Sequence, residues 1–326
     1  MKTAKKIESF VDIMRVRFTG RPIPVAIRWT LTHKCTSRCI YCNIYEQKTP
    51  ELTTDQIRGL LDQVAAAGTK RISFSGGDPL VRKDFGEIID HAVSLGISCS
   101  INSCGALVVR NLDAIRKLDL VKISLDGPEK IHDLQKGKGS FRRAMDAADA
   151  LRKAGVRYTF ACTIAKYSVD HLVDVLRIAE QHNTLVAFQP LKELYMGVHN
   201  IDDISPDLTT FKREVRKLID IKRSGNRHIR NSLRGLRHIW DWPNYERLEC
   251  AGGKIFCMIE TDGRVTPCDR NGYDMELPNA LEHGFRWSMD HLPTPNCKGC
   301  GFCGALELNY VYNLRPDVLP IINKIS

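Results

Sequence analysis

Short apolar runs alternate along the chain with longer windows whose apolar residues recur every three or four positions. Val25–Thr32 reads as a strand, and Thr53–Gly68 as a helix that starts at a cap-like Thr54-Asp55 and stops at Gly68. Further strands are expected at Arg71–Ser75, Ser98–Ser103, Leu120–Leu125, Tyr158–Ile164 and Leu185–Leu191. A helical window follows each: Asp84–Gly96, Arg110–Leu118, Ser140–Gly155, Asp170–His182 and Asp207–Arg223. The strands are nearly continuous apolar runs, as parallel strands covered by helices are. Six βα units in succession predict an α/β fold, either a partial barrel or an open doubly wound sheet. In both, ligands sit at the carboxyl ends of the strands.

The rhythm stops near Asn244, where a Gly-, Cys- and Pro-rich region begins, so a boundary is expected between Gly225 and Cys250. Within that region Ile255–Glu260 and Arg264–Thr266 flank an Asp262-Gly263 turn and read as a β-hairpin. Ahead of the first strand, Ile7, Phe10, Val11, Ile13 and Met14 are interleaved with Lys2, Lys5, Lys6, Arg15 and Arg17. That amphipathic segment has two readings: a helix closing one side of the fold, or a helix resting on anionic lipid. The expected units are 1–24, 25–235 and 236–326.

The 326 residues are 43% hydrophobic and 26% charged, which excludes disordered and collagen-like classes. No apolar run is long enough to span a membrane, and the charged N-terminus lacks the apolar core of a signal peptide, so a cytoplasmic location is expected. Lys plus Arg is 48 and Asp plus Glu is 38, a net charge of +10. The excess leaves nucleic acid, anionic lipid or an anionic substrate open. Its densest tract, Lys212–Arg237, begins as one solvated helix face, with Phe211, Val215, Leu218 and Ile219 on the other.

Twelve cysteines without a secretory signal point to metal or redox chemistry rather than a disulfide framework. Cys35, Cys39 and Cys42 form C-x3-C-x2-C directly after the first strand. Thiolates bind zinc and iron–sulfur clusters alike. Three ligands leave one position open, which a cluster can use to bind and activate another molecule. Ser75-Gly76-Gly77-Asp78-Pro79 closes the second strand; its glycines let backbone approach a ligand, and the Asp78 carboxylate and nearby carbonyls can accept bonds from an ammonium group. Six more cysteines crowd the C-terminal region: Cys250, Cys257, Cys268, Cys297, Cys300 and Cys303. Close pairs supplied by separate segments form a metal knuckle, for zinc or iron–sulfur. Cys99, Cys104 and Cys162 lie in or beside strands as core residues, with Cys104 at a strand end. Trp240, Trp242 and Tyr245 read as packing between the two regions.

The cysteine loop with Tyr41 before its last cysteine, and Gly76-Gly77-Asp78-Pro79, resemble the radical SAM superfamily. Ser124-Leu125-Asp126-Gly127-Pro128, His132-Asp133 and Gly137-Lys138-Gly139-Ser140-Phe141 resemble its fourth-strand segment, and the rear cysteines a SPASM or twitch extension. The resemblance implies a partial (β/α)6 TIM-like barrel followed by a small Cys-rich domain. It implies a 4Fe–4S cluster on Cys35, Cys39 and Cys42, whose open iron chelates S-adenosylmethionine. Reductive cleavage would yield a 5′-deoxyadenosyl radical that abstracts a hydrogen atom. The implied cofactor contacts are Tyr41, Gly76, Gly77, Asp78, Pro79, Asn102, Ser124 and Asp126. Gln135 departs from the Arg of many relatives. At least one auxiliary 4Fe–4S cluster would draw on Cys250, Cys268, Cys297, Cys300 and Cys303; Cys257 is either a further ligand or a buried hairpin side chain. Asp269 would be a catalytic base, its other reading being a solvated turn residue. A flavodoxin- or ferredoxin-type reductant is implied. A small-molecule, lipid or sugar intermediate is the first substrate reading. A peptide substrate is the alternative, weakened because only about 25 residues precede the first strand, fewer than a recognition domain needs. A zinc- or cluster-bearing nucleic-acid-binding protein would leave Gly76-Gly77-Asp78-Pro79 unexplained.

Overall fold

The computed structural model describes residues 3–191, 201–245, 247–268, 276–295, 297 and 299–315. Six parallel strands form where the apolar runs predict them: β1 Ala26–Thr32, β2 Arg71–Gly76, β3 Ser98–Ser103, β4 Leu120–Ser124, β5 Tyr158–Ile164 and β6 Leu185–Pro190. The hairpin forms too, from β7 Phe256–Ile259 and β8 Val265–Thr266. All belong to one sheet in the order β6-β5-β4-β3-β2-β1-β7-β8. A doubly wound sheet reverses its strand order part-way; here β1 to β6 follow one another, and same-handed crossovers keep the helices on the outside of a partial barrel.

The helices are α1 Thr3–Thr19, α2 Thr54–Ala66, α3 Phe85–Ser94, α4 Leu112–Ile115, α5 Glu129–Lys136, α6 Ser140–Lys153 and α7 Leu172–Gln181. After β6 come α8 Ile201–Ile204, α9 Leu208–Arg223, α10 Leu233–Trp240, α11 Ala280–His283, α12 Phe285–Asp290 and α13 Cys303–Tyr312. Ile27, Trp29 and Leu31 of β1 join one apolar core with Leu60 and Leu61 of α2 and Ile88 and Ile89 of α3. The cap of α2 is Thr53, one residue before the expected start. Its hydroxyl accepts from the Gln56 N–H at 3.2 Å, and the Gln56 side chain accepts from the Thr53 N–H at 2.9 Å. The apolar side of α9 is buried as expected, and Trp242 packs on Phe211 at 4.9 Å between ring centres.

The hairpin was expected in a separate small unit beginning at 236. Instead β7 pairs in parallel with β1, from Ala26 opposite Phe256 to Trp29 opposite Ile259, so the sheet runs across the expected boundary. Without β7 the far side of β1 would expose a row of unpaired backbone groups next to the cysteine loop. The helix α13 went unpredicted because every residue from Ala305 to Tyr312 is buried, which leaves no polar face to produce a period. On α1, Ile13 and Val16 are buried with Ala251, Ile255, Leu306 and Val311, so this helix closes one side of the fold. Among the described residues, no helix is long and apolar enough to cross a membrane.

The seam between α1 and α13 makes a contrast that denaturant unfolding can measure. Leu306→Ala should cost about 2–5 kcal/mol, as large-to-small core changes do. Ile7→Ala, on the exposed side of α1, should stay within about 0.5 kcal/mol of wild type.

Candidate active site

The front cysteine loop leaves the carboxyl end of β1 and is held flush against the end of β2. The Gly77 N–H bonds the Thr32 carbonyl at 2.8 Å, and the Asp78 N–H bonds the Lys34 carbonyl at 2.9 Å. A side-chain carbon at Gly76 would sit 2.1 Å from the Thr32 oxygen, and one at Gly77 would sit 2.1 Å from the Lys34 oxygen. Gly76 also has φ of +127°. The two glycines are therefore required by the protein's own backbone.

Asp78 was expected to offer its carboxylate to an ammonium group, and that carboxylate is also tied to the protein's own donors. Oδ1 accepts from the Leu80 N–H at 3.1 Å, and Oδ2 accepts from the Ser103 hydroxyl at 2.8 Å, the Cys104 N–H at 3.1 Å and the Cys104 thiol at 3.2 Å. Those four bonds fill Oδ2 and engage Oδ1 once. What the turn still offers a ligand is backbone. Pro79 is buried and begins the short turn that Asp78 caps.

Asp126 is a second brace. Oδ1 accepts from the Thr163 N–H at 2.9 Å, and Oδ2 accepts from the Tyr41 hydroxyl at 2.5 Å and lies 3.4 Å from the Lys136 ammonium. Lys136 Nζ is also 3.7 Å from Cys39 Sγ and 5.0 Å from the centre of the Tyr41 ring. Burial and the neighbouring Asp126 push the Tyr41 phenol up; Asp126, Cys39 and Tyr41 together outweigh burial and raise Lys136, which stays a cation. Lys136 was missed in the sequence because a single Lys at a helix end carries no pattern. Asp133 accepts from Gly139 N–H at 2.6 Å, Phe141 N–H at 2.8 Å and the Ser140 hydroxyl at 3.1 Å, so the segment from His132 to Phe141 is a braced corner between α5 and α6.

The thiols themselves are partly buried. Burial, then Cys104, Asp78 and Cys39 nearby, pushes Cys35 up to about 12. At the rear, Cys250 is pushed up to about 11 and Cys300 to about 12, mainly by burial. Cys268 and Cys297 act on both Cys250 and Cys300, and Cys250 acts on Cys300, so the four lie in one neighbourhood. Cys257 does not join them: it is buried in β7 opposite Ile27, and burial is the one cause that raises its thiol. Cys303 faces the barrel instead, with Sγ 3.6 Å from Gln189 Oε1. Cys257 thus fits its second reading, a buried hairpin side chain. Asp269 lies outside the described residues. Tyr245 stacks on His238 at 4.9 Å and Trp240 Nε1 bonds the Lys212 carbonyl at 3.0 Å, so these aromatics are packing.

Inside the barrel lies a cavity of about 180 Å³. It reaches from Asn102, near the carboxyl end of β3, to Cys268 and Cys303. Ser124 ends β4 half-buried.

Residues 29–179 match the model of the radical SAM superfamily. Over that span the chain is similar to radical SAM enzymes. It is 25% identical to an AdoMet-dependent heme synthase of Oleidesulfovibrio alaskensis over 338 residues, covering 90% of this chain and 83% of that protein. It is 27% identical to the mycofactocin maturase MftC of Mycolicibacterium smegmatis over 310 residues, 88% of this chain and 77% of that one. Among solved structures, Streptococcus suis SuiB bound to S-adenosylmethionine aligns with a TM-score of 0.67 at 16% identity, covering 84% of this chain and 68% of SuiB. Native anSMEcpe with bound AdoMet and a peptide aligns at 0.62 and 16%, covering 92% of this chain and 99% of that one. At such identities these two share the fold.

The cofactors of the radical SAM enzyme are S-adenosylmethionine and a 4Fe–4S cluster, and the residues present suit them. Among the described residues no three His, Cys, Asp or Glu side chains draw together around a single metal ion. Both polar atoms of the Gln135 side chain are buried without a hydrogen-bond partner, and the Gln135 carbonyl accepts from the Ile40 N–H inside the cysteine loop at 2.9 Å. A polar ligand at this loop would meet an amide with both bonds unspent. Bound iron would also supply the positive charge that deprotonates the buried thiols.

Gly77→Ala should separate the cysteine loop from β2. Iron retained after anaerobic reconstitution should fall by about the content of one cluster, with the rear thiols still loaded. A second expectation concerns pH. His132 is buried, its Nδ1 accepts from the Asp126 N–H at 3.0 Å, and burial pushes it down to about 4 from 6.5. Between those values the unfolded chain binds the extra proton, so stability is complete above about pH 6.5 and is lost as pH falls through 4. The loss should reach at most about 3 kcal/mol by urea unfolding, and should shrink in His132→Gln.

Proposed function

We propose that this enzyme cleaves S-adenosylmethionine reductively at the front loop and takes a hydrogen atom from an organic substrate held in the barrel cavity. The observation that carries the reading is the pairing of a braced three-cysteine loop at the carboxyl end of β1 with a cavity inside the same barrel. When bound, the reduced cluster and S-adenosylmethionine supply an organic radical able to attack an unactivated carbon. The chain's own residues hold that chemistry in place. Asp78 ties the β2 turn to β3, Asp126 and Lys136 anchor Tyr41 and Cys39, and Asn102 would border the nucleoside and the substrate. Cys250, Cys268, Cys297 and Cys300 would hold one auxiliary 4Fe–4S cluster close to the cavity, which Cys268 lines. Asp269, next to Cys268 in sequence, would be the base. The residue spans 25–235 and 236–326 would then be a core and an auxiliary cluster region sharing one sheet.

A small-molecule intermediate is the substrate reading favoured by an internal cavity of this size. A peptide is the second reading, supported by the likeness to a mycofactocin maturase. A flavodoxin- or ferredoxin-type protein would supply the electron.

The test is anaerobic reconstitution with iron and sulfide, then dithionite and S-adenosylmethionine, with 5′-deoxyadenosine measured. Wild type should form it, and the Cys35/Cys39/Cys42→Ala triple variant should form none. Cys300→Ser should lose about one cluster of iron, while Cys257→Ser should lose none. Stoichiometric zinc with no iron and no 5′-deoxyadenosine would overturn the reading.

A further inference from the structure

The helix α1 carries apolar residues on two opposite sides. Ser9, Ile13 and Val16 recur at i, i+4 and i+7 and are buried, the last two with Leu306 and Val311 of α13. Ile7, Val11, Met14 and Phe18 recur at i, i+4, i+7 and i+11 on the other side. Ile7 is 60% exposed, Val11 48% and Phe18 77%, while Met14 is half-buried. A helix that only closes one side of a fold needs the first stripe, and its outer side is polar. Here the outer side is a continuous apolar strip about three turns long, unlike the single apolar residues scattered over an ordinary surface.

Charge decides what covers the strip. Residues 1–21 contain Lys2, Lys5, Lys6, Arg15, Arg17 and Arg21 against Glu8 and Asp12, a net +4 out of the +10 of the whole chain. Lys70 Nζ lies 3.4 Å from Glu8 and 3.9 Å from Asp12, and Arg15 lies 3.2 Å from Asp12, so both carboxylates face cations. Arg17 lies 3.8 Å from Glu249 and over the ring of Tyr312. The two partners from outside the segment, Lys70 and Glu249, have opposite charges and leave the +4 unchanged. Pairing redistributes charge without removing it, and an anionic surface within a Debye length feels the sum. Arg15 and Arg21 are exposed. A second copy of the chain would bring the same positive charge against itself, which opposes pairing of two such strips.

We infer that α1 rests on an anionic lipid surface, with Ile7, Val11 and Phe18 entering the boundary between headgroups and acyl chains and Arg15 and Arg21 among the headgroups. An apolar strip on a basic helix is the form of an interfacial helix, held by buried apolar area together with attraction to anionic lipid. Packing on α13 and contact with lipid use opposite sides of α1, so the two readings of this segment hold together. The inference goes beyond the proposed radical chemistry and does not depend on it. Since α13 starts at Cys303 on the cavity wall, lipid contact at α1 would hold the barrel and its cavity at the bilayer.

The test is flotation of the reconstituted holoprotein with vesicles of phosphatidylcholine alone and of equal parts phosphatidylcholine and phosphatidylglycerol. Wild type should float with the anionic vesicles, and this binding should weaken as salt is raised. The triple variant Ile7→Ser, Val11→Ser, Phe18→Ser should lose at least about tenfold in partition to anionic vesicles, with iron per chain and thermal stability unchanged because these side chains are exposed. Arg15→Gln with Arg21→Gln should reduce the preference for anionic over neutral vesicles. Val109→Ser, which removes an equally exposed apolar residue beyond β3, should bind as wild type does. Absence of wild type from the anionic vesicles overturns the inference, as does equal binding by wild type and the triple variant. Sedimentation of wild type as a dimer that the triple variant turns into a monomer also overturns it, since the strip would then be covered by a second copy. No 5′-deoxyadenosine is read, so failure of the radical chemistry and failure of the lipid contact are distinguishable.

Discussion

The site depends on one close approach of backbone to backbone. Gly76 and Gly77 let the end of β2 lie against residues 32 to 34 with no side chain between them. Any Cβ there would drive a carbonyl away and carry the cysteine loop with it. The three front thiols therefore take their position from two hydrogen bonds and two missing side chains. The glycines serve the protein's own geometry first, and only through it a ligand.

Around that contact the fold uses carboxylates as ties. Asp78 joins the β2 turn to the end of β3, and Asp126 joins Tyr41 of the loop to β5. Each is fully buried, so each must have its acceptor capacity filled. That requirement gives the loop a single arrangement: moving Tyr41 or Cys104 would strand a buried charge. Lys136 completes the second tie by balancing Asp126 while its ammonium approaches Cys39. A cation beside a thiol stabilises the thiolate form that a cluster needs.

The C-terminal region closes the barrel and furnishes its far wall. β7 removes the open edge of β1, α13 brings Cys303 and Leu308 to the cavity, and α1 covers α13 from outside. The rear thiols thus lie where the fold is sealed, next to a cavity that carries its own cations.

The sequence by itself determined the six βα units, the hairpin and the two groups of cysteines, because these signals are local. A buried parallel strand must be apolar throughout, a turn must hold glycine, and a ligand loop keeps its spacing wherever it lies. It also foretold the family through residues close together in the chain. Only the tertiary structure decided that Cys257 lies buried in β7 opposite Ile27 and that Cys303 approaches Gln189. It decided that Asp78 and Asp126 spend their carboxylates on the protein's own backbone and side-chain donors, which no residue identity reveals. It placed β7 beside β1 and put Arg28, Arg71, Lys122 and Arg230 around one cavity, although they come from four segments about 200 residues apart at the extremes. Strand alternation sends Arg28, Arg71 and Lys122 inward, and the curl of the sheet makes them neighbours of one another and of Arg230.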